Sequence, residues 1–163
     1  MTYFTHYRSP LGVLTIASDG IHITGLWMEG QKFYCSTLDA TASEDPTIPV
    51  IRDTVQWLNR YFSGIAEPAD HIPLRPAGTS FQQQVWNALR QIPYGETLTY
   101  GQVAVWLGKS CTAAQAVGNA VRRNPISILI PCHRVVGANG AMTGYAGGID
   151  RKMFLLELEK GKR

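Results

Sequence analysis

Residues 128–137 read ILIPCHRVVG: an apolar run delivers Cys132, His133 and Arg134 side by side and then turns apolar again. A cysteine thiolate is a strong nucleophile, and a neighbouring imidazole is the base that can generate it. Such a pair needs a third group to orient the imidazole, and the acids available on the last helical stretch are Glu157 and Glu159. The run before Pro131 reads as a buried strand, on which adjacent side chains point to opposite faces. Cys132 and His133 would then communicate through a bend, with Pro131 as its source, or through a water. The competing reading is inert packing, because burial in apolar surroundings raises a thiol's pKa and suppresses the reactive form.

Other chemistries find little support. Cys35, Cys111 and Cys132 are few and scattered, with no CxxC spacing, so neither a disulfide framework nor a metal site is expected. Reduced thiols in a cytosolic protein fit this usage. With 45% hydrophobic and 17% charged residues among 163, the chain is an ordinary globular one, with room for one domain or two small ones. No apolar run approaches the ~20 residues of a membrane-spanning helix, and the first residues lack the basic-then-apolar pattern of a secretory signal. Charge is unevenly spread. Residues 1–76 carry five Lys/Arg against eight Asp/Glu, a net −3, whereas residues 77–163 carry ten against four, a net +6. This asymmetry points to a polyanion facing the second half, with a merely solubilising surface as the alternative.

The elements that would position the site can be read from patterning. In residues 1–76, two β-branched runs, LGVLTIAS and IHITGLWM, flank Ser18-Asp19-Gly20 and predict a hairpin. Residues 36–49 read as a loop. Val50, Val55, Leu58, Tyr61 and Phe62 then recur at helical spacing, with Gly64 beyond the end. Prolines at 68, 73 and 76 mark a linker. In residues 77–163, Ser80-x-x-Gln83 reads as a capping box ahead of Phe81, Val85, Leu89 and Ile92. Thr99-x-x-Gln102 caps a short helix closed by Gly108, and a second helix runs through Ala113, Ala116, Val117, Ala120 and Val121 to Asn124-Pro125.

The last two form a helix-turn-helix candidate or an ordinary helical hairpin. Small residues at 113, 114, 116, 118 and 120 suit a helix whose backbone closely approaches another molecule, since glycine there costs about 1 kcal/mol. Arg122 and Arg123 could hold phosphates or complement the helix dipole. A glycine-rich loop, residues 137–148, precedes a last helix capped by Asp150 and facing inward through Phe154, Leu155, Leu156 and Leu158.

Pro131-Cys132-His133-Arg134-Val135 resembles the active-site signature of the O6-alkylguanine-DNA alkyltransferases, the methylated-DNA–protein-cysteine methyltransferases. The resemblance runs in order through SFQQQVW, IPYGETLTYGQVA, AVGNAVRRNP, ILIPCHRVVG, GYAGG and LLELE, covering residues 79–160; residues 1–76 match the family's first domain only loosely. It implies an α/β (α+β) fold, with a small N-terminal sheet-plus-helix scaffold over 1–76 and a mostly helical alkyl-transfer domain over 77–163.

The implied activity is direct-reversal DNA repair. An alkyl group on O6 of guanine, or on O4 of thymine as a second candidate, would pass irreversibly to Cys132 in one turnover. The partner is double-stranded DNA carrying alkylated bases, bound through the minor groove with the nucleotide flipped out. Neither a cofactor nor a membrane is involved, and the protein would act as a monomer in a prokaryote-like cytoplasm.

By the same resemblance, His133 and Glu159 match the relay that activates the cysteine, and Asn124 matches an asparagine tying the helix-turn-helix to the active segment. Tyr100 matches a tyrosine that donates a proton to the departing base. Ala113, Ala114, Gln115, Gly118 and Arg122 match the DNA-binding helix; Gln115 stands where the family usually has an arginine and could equally cap that helix with Thr112. Tyr145, Ala146, Gly147 and Gly148 match the loop that closes the base pocket. Arg134 reads as a loop anchor, and His6, His22 and His71 as structural or exposed. Two rivals stay open: a cysteine hydrolase, for which no oxyanion arrangement is evident, and a lesion-binding module that needs no nucleophile.

Overall fold

The structure, a computed structural model, describes residues 1–161. Its first half is a four-stranded sheet in which β1 (Tyr3–Ser9), β2 (Gly12–Ser18) and β3 (Ile23–Met28) form an antiparallel meander, and β4 (Ser43–Glu44) adds parallel to β1. The hairpin expected around Ser18-Asp19-Gly20 is present: Asp19 Oδ1 accepts from the amides of Ile21 and His22 at 2.9 and 2.7 Å, and Gly20 takes φ 102°. β1 carries no strict alternation and was not legible. Its turn into β2 depends on Gly12 at φ 100° and on the Ser9 hydroxyl bonded to the Gly12 carbonyl.

Helix α1 (Pro49–Phe62) begins with proline at its first turn and buries Val50, Ile51, Thr54, Trp57, Leu58 and Tyr61. Two residues expected on that face, Val55 and Phe62, are only partly buried at its margin. Residues 68–78 are irregular but not detached from the fold. Ile23 donates to the Pro73 carbonyl and accepts from the Arg75 amide, which binds this stretch to the edge of β3.

Helix α2 (Ser80–Leu89) has its capping box one residue earlier than the sequence reading placed it. Thr79, not Ser80, accepts from the Gln82 amide, and the Gln82 side chain returns to the Thr79 amide. A glutamine at 82 and another at 83 satisfy the pattern equally, and only the backbone decides between them. The box Thr99/Gln102 stands as expected on α3 (Tyr100–Trp106), which Gly108 closes at φ 76°. A 3₁₀ turn (Cys111–Ala113) leads into α4 (Ala114–Arg122). Ser110, rather than a Thr112/Gln115 box, caps that turn by accepting from the Thr112 amide. Strands β5 (Leu98–Thr99) and β6 (Val135–Val136) pair in parallel, and α5 (Ile149–Glu159) closes the described chain. Its N-cap is Gly148, and Asp150 lies in the first turn, where a carboxylate favours the helix dipole. Phe154 is 37% exposed and Lys152 is fully buried in its stead, so the inward face differs from the apolar pattern.

The largest departure falls on residues 126–130, which form a buried turn and not a strand. Ile130 donates to the Ile126 carbonyl, Ile128 takes φ 72°, and the flanking residues bridge to Leu26 of β3. A short apolar run reports burial without reporting backbone shape. Through this turn the core becomes continuous, joining Leu26, Trp57 and Tyr61 to Ile126, Leu129, Ile130, Leu155 and Leu158. No helix of the described residues is long and apolar enough to cross a membrane.

The cap assignment makes a prediction. Thr79→Ala is expected to lower unfolding stability by about 1 kcal/mol in urea denaturation, and Ser80→Ala by less than about 0.5 kcal/mol.

Candidate active site

Cys132 opens a 3₁₀ turn, Cys132–Arg134, directly after the buried turn of residues 126–130. Asn124 closes the base of that buried turn. Its Oδ1 accepts from the Ile126 amide at 2.9 Å, and its Nδ2 donates to the Ile130 carbonyl at 2.9 Å. Backbone groups that a strand would have paired are thus satisfied by one side-chain amide. Asn124 is itself buried, so one residue ties the end of α4 to the turn that leads into the thiol.

The 3₁₀ turn delivers the thiol and His133 into the core, 4% and 0% exposed respectively. His133 Nε2 lies 2.6 Å from Glu159 Oε2, on the last turn of α5. Glu157, the other acid considered, is exposed. Among the described residues Glu159 accepts five hydrogen bonds. Arg134 Nε at 2.8 Å and the Gly95 amide at 3.2 Å reach Oε1. Oε2 receives Arg134 Nη2 at 3.0 Å and the Tyr61 hydroxyl at 2.6 Å besides His133. Burial opposes ionisation of Glu159, but His133 and Arg134 outweigh it and hold the carboxyl well below the usual carboxylate range. An ionised carboxylate only accepts, so the proton shared with His133 sits on Nε2. Burial pulls the imidazole itself down, against the pull of Glu159, so it is neutral near pH 7. Nδ1 is therefore a bare lone pair, buried and without a partner among the described residues. It is a base.

The thiol is not pre-ionised. Burial pushes Cys132 up to about 11, opposed by the polar Asn124 amide and by the positive charge of Lys152. Lys152 is fully buried, without a carboxylate partner among the described residues. Its Nζ donates to the carbonyls of Val135 at 2.6 Å and Thr143 at 2.9 Å, and burial lowers it to about 8. The Thr143 carbonyl also accepts from the Tyr100 hydroxyl at 2.8 Å. Lys152 Nζ lies 5.9 Å from the Tyr100 ring centre. A side chain at Gly144 would meet the Tyr100 hydroxyl at 2.7 Å, which explains a glycine there.

The loop of residues 145–148 packs on the first half of the chain. The Lys32 amide donates to the Ala146 carbonyl at 3.1 Å, and the Tyr145 hydroxyl reaches Met28 Sδ at 3.9 Å. A Cβ on Gly147 would fall 2.6 Å from the Tyr145 ring, whereas Gly148 is exposed and caps α5. On α4, Gln115, Ala116, Asn119 and the following Arg123 form the exposed face. Ala113, Ala114 and Arg122 are partly buried. Gly118 is buried facing Tyr100, where a Cβ would meet the ring at 3.6 Å, an ordinary van der Waals contact.

Comparison with known proteins meets the same residues. Residues 80–161 match the family described as 6-O-methylguanine DNA methyltransferase, DNA binding domain, and residues 2–76 match its ribonuclease-like domain. The chain belongs to this family.

A methylated-DNA–protein-cysteine methyltransferase of Haemophilus influenzae is 44% identical over 97% of this chain and 86% of its own length. Its counterpart in Mycobacterium bovis is 48% identical over 96% and 93%. The crystal structure of Mycobacterium tuberculosis OGT in complex with DNA superimposes with a TM-score of 0.88 at 45% identity, covering 98% of this chain and 93% of that one.

Within this 6-O-methylguanine DNA methyltransferase family member, the structure gathers Cys132, His133, Glu159, Asn124, Tyr100 and Tyr145 into one neighbourhood. Sequence reasoning missed three participants. Lys152 was masked by the apolar stripe of α5, Tyr61 counted as core, and Arg134 has a larger part than anchoring a loop, because it also grips Glu159.

Acid should unfold the protein in two windows. Both His133 and Glu159 have folded pKa values below their unfolded ones. Their contributions are complete above the unfolded values, about 6.5 and 4.3, and are lost as pH falls through each window. Thermal or urea unfolding should show stability falling from pH 6.5 downward, at up to about 1.4 kcal/mol per pH unit per proton. In His133→Gln the upper window should flatten while the lower one persists.

Proposed function

We propose that the protein repairs duplex DNA by moving an alkyl group from O6 of guanine, with O4 of thymine as a second substrate, onto Cys132. The observation that carries this reading is a His133 kept neutral by burial, its Nε2 proton held by Glu159 and its bare Nδ1 on the residue next to a buried thiol.

The thiol proton passes to His133 Nδ1 through a bridging water, and Glu159 stabilises the imidazolium that forms. The thiolate attacks the alkyl carbon in line, the carbon–oxygen bond breaks, and a carbon–sulfur bond forms. Electron density returns to the base, which takes up a proton from Tyr100. The Tyr100 hydroxyl is half-buried and already aimed at the loop carbonyl of Thr143. No group at the site can cleave a thioether, so each molecule acts once. A thiol lifted to about 11 is protected while idle and is ionised only when the relay acts.

An alkyl carbon on a stacked base cannot reach a thiol that is 4% exposed, so the nucleotide must leave the helix. Helix α4, with Ala113, Ala114 and Gln115 toward its start and Arg122 near its end, approaches the minor groove. Gln115, exposed on that face, fills the gap left in the base stack. The net +6 of residues 77–163 supplies affinity that is independent of sequence. Residues 145–148 line the base pocket, and residues 1–76 act as the scaffold behind it. One protein molecule serves one lesion, without a cofactor, in the cytoplasm of a cell whose chromosome lies there.

Mixing the protein with duplex DNA containing O6-methylguanine should add one methyl to the intact mass, on the peptide containing Cys132, and none in Cys132→Ala. Repeated turnover would indicate a hydrolase. Lesion binding without a mass gain would indicate a recognition module.

A further inference from the structure

Tyr61 belongs to α1, in the half of the chain with no part in the chemistry just described, yet its hydroxyl lies 2.6 Å from Glu159 Oε2. The side chain is 1% exposed and its ring is clamped. Trp57 stacks on it at 5.1 Å with an 18° interplanar angle, and Phe62 and Tyr94 meet it edge-on at 5.3 and 6.2 Å. A ring so fixed can aim its hydroxyl in few directions, and this one is aimed at the oxygen that also receives His133.

We propose that Tyr61 is a positioning residue of the alkyl-transfer relay, its hydroxyl fixing Glu159 Oε2 where His133 Nε2 must find it, so that residues 1–76 complete the site as well as support it. The inference rests on the alkyl-transfer reading. Three donors converge on Oε2, from Tyr61 on α1 and from His133 and Arg134 on the 3₁₀ turn, while the Gly95 amide holds Oε1. Lys152 is the further cation facing His133.

Each donor does a different task. Arg134 keeps the carboxylate ionised. The tyrosine, whose own proton burial holds far above the physiological range, is a permanent neutral donor that drains basicity from Oε2. That keeps the shared proton on His133 Nε2 and limits how strongly Glu159 favours the imidazolium before DNA arrives. A second carboxylate position, rotated away from His133, is denied by the same bond.

Packing alone would explain a buried tyrosine, and the two roles separate experimentally. Tyr61→Phe keeps the ring and deletes the hydroxyl; Trp57→Phe disturbs the same aromatic stack without touching Glu159. In the full chain, single-turnover methyl transfer by Tyr61→Phe should slow roughly tenfold, part of what a general base contributes. Its acid limb should also move to higher pH, because Oε2, relieved of one donor, holds the His133 proton more tightly. The His133 ring, followed by ¹⁵N NMR without DNA, should titrate higher by the same displacement, and Trp57→Phe should shift neither. An unchanged limb and ring titration in Tyr61→Phe, or equal shifts in Trp57→Phe, would overturn the proposal. A parent protein that takes up no methyl would defeat the alkyl-transfer reading alone; the ring titration would still decide whether Tyr61 governs His133.

Discussion

One buried negative charge organises this molecule. Glu159 is 5% exposed, and an ionised carboxylate without partners in such a place would cost several kcal/mol. It is tolerated because donors reach it from separate parts of the chain: a tyrosine on α1, a backbone amide in the turn after α2, and the histidine and arginine that follow the reactive cysteine. Arg134 supplies the opposite charge and the others satisfy the remaining lone pairs, so their positions are mutually constrained. The last helix, the active 3₁₀ turn and the first half of the chain are locked together by that requirement as much as by the apolar core. The same charge decides which imidazole nitrogen carries the proton and thereby creates the base.

The thiol is arranged in the opposite sense. Burial disfavours its charged form, so its resting state is neutral. Lys152 supplies a positive charge that would favour a nascent thiolate, and of the two carbonyls that hold this lysine one precedes the glycine-rich loop and the other lies in it. Thr143 thereby links the lysine to Tyr100 at the start of α3, while Asn124 links the end of α4 to the buried turn before the thiol. Both elements of the helix-turn-helix are thus joined by hydrogen bonds to the segments that flank the thiol and hold the buried lysine.

Much of this was legible in the sequence because local signals and the family pattern agreed. The Cys132-His133 pair, the late glutamate, the helix-turn-helix caps at Thr99 and Gly108, and the Ser18-Asp19-Gly20 hairpin all rest on residue types with one dominant structural use. The failures share a cause, since each depended on contacts distant in sequence. Ile126–Ile130 looked like a strand because apolar runs announce burial only, and the partner that replaces its ladder is a single asparagine amide. Lys152 lies outside the apolar stripe expected on α5, yet two remote carbonyls accept it into the core. Tyr61 read as one more apolar contact of α1, because nothing in its neighbourhood hints at a carboxylate 98 positions later. Shifts of one or two residues at the caps of α2 and α5 arose where neighbouring residues satisfy the same pattern.

The state of His133 is the most direct test of this arrangement. ¹⁵N-resolved NMR of the unalkylated protein at pH 7 distinguishes the two ring nitrogens and shows which bears hydrogen. A neutral ring protonated on Nε2 and bare on Nδ1 is the predicted result. A ring protonated on Nδ1, or an imidazolium at that pH, would contradict it and leave Cys132 without its base.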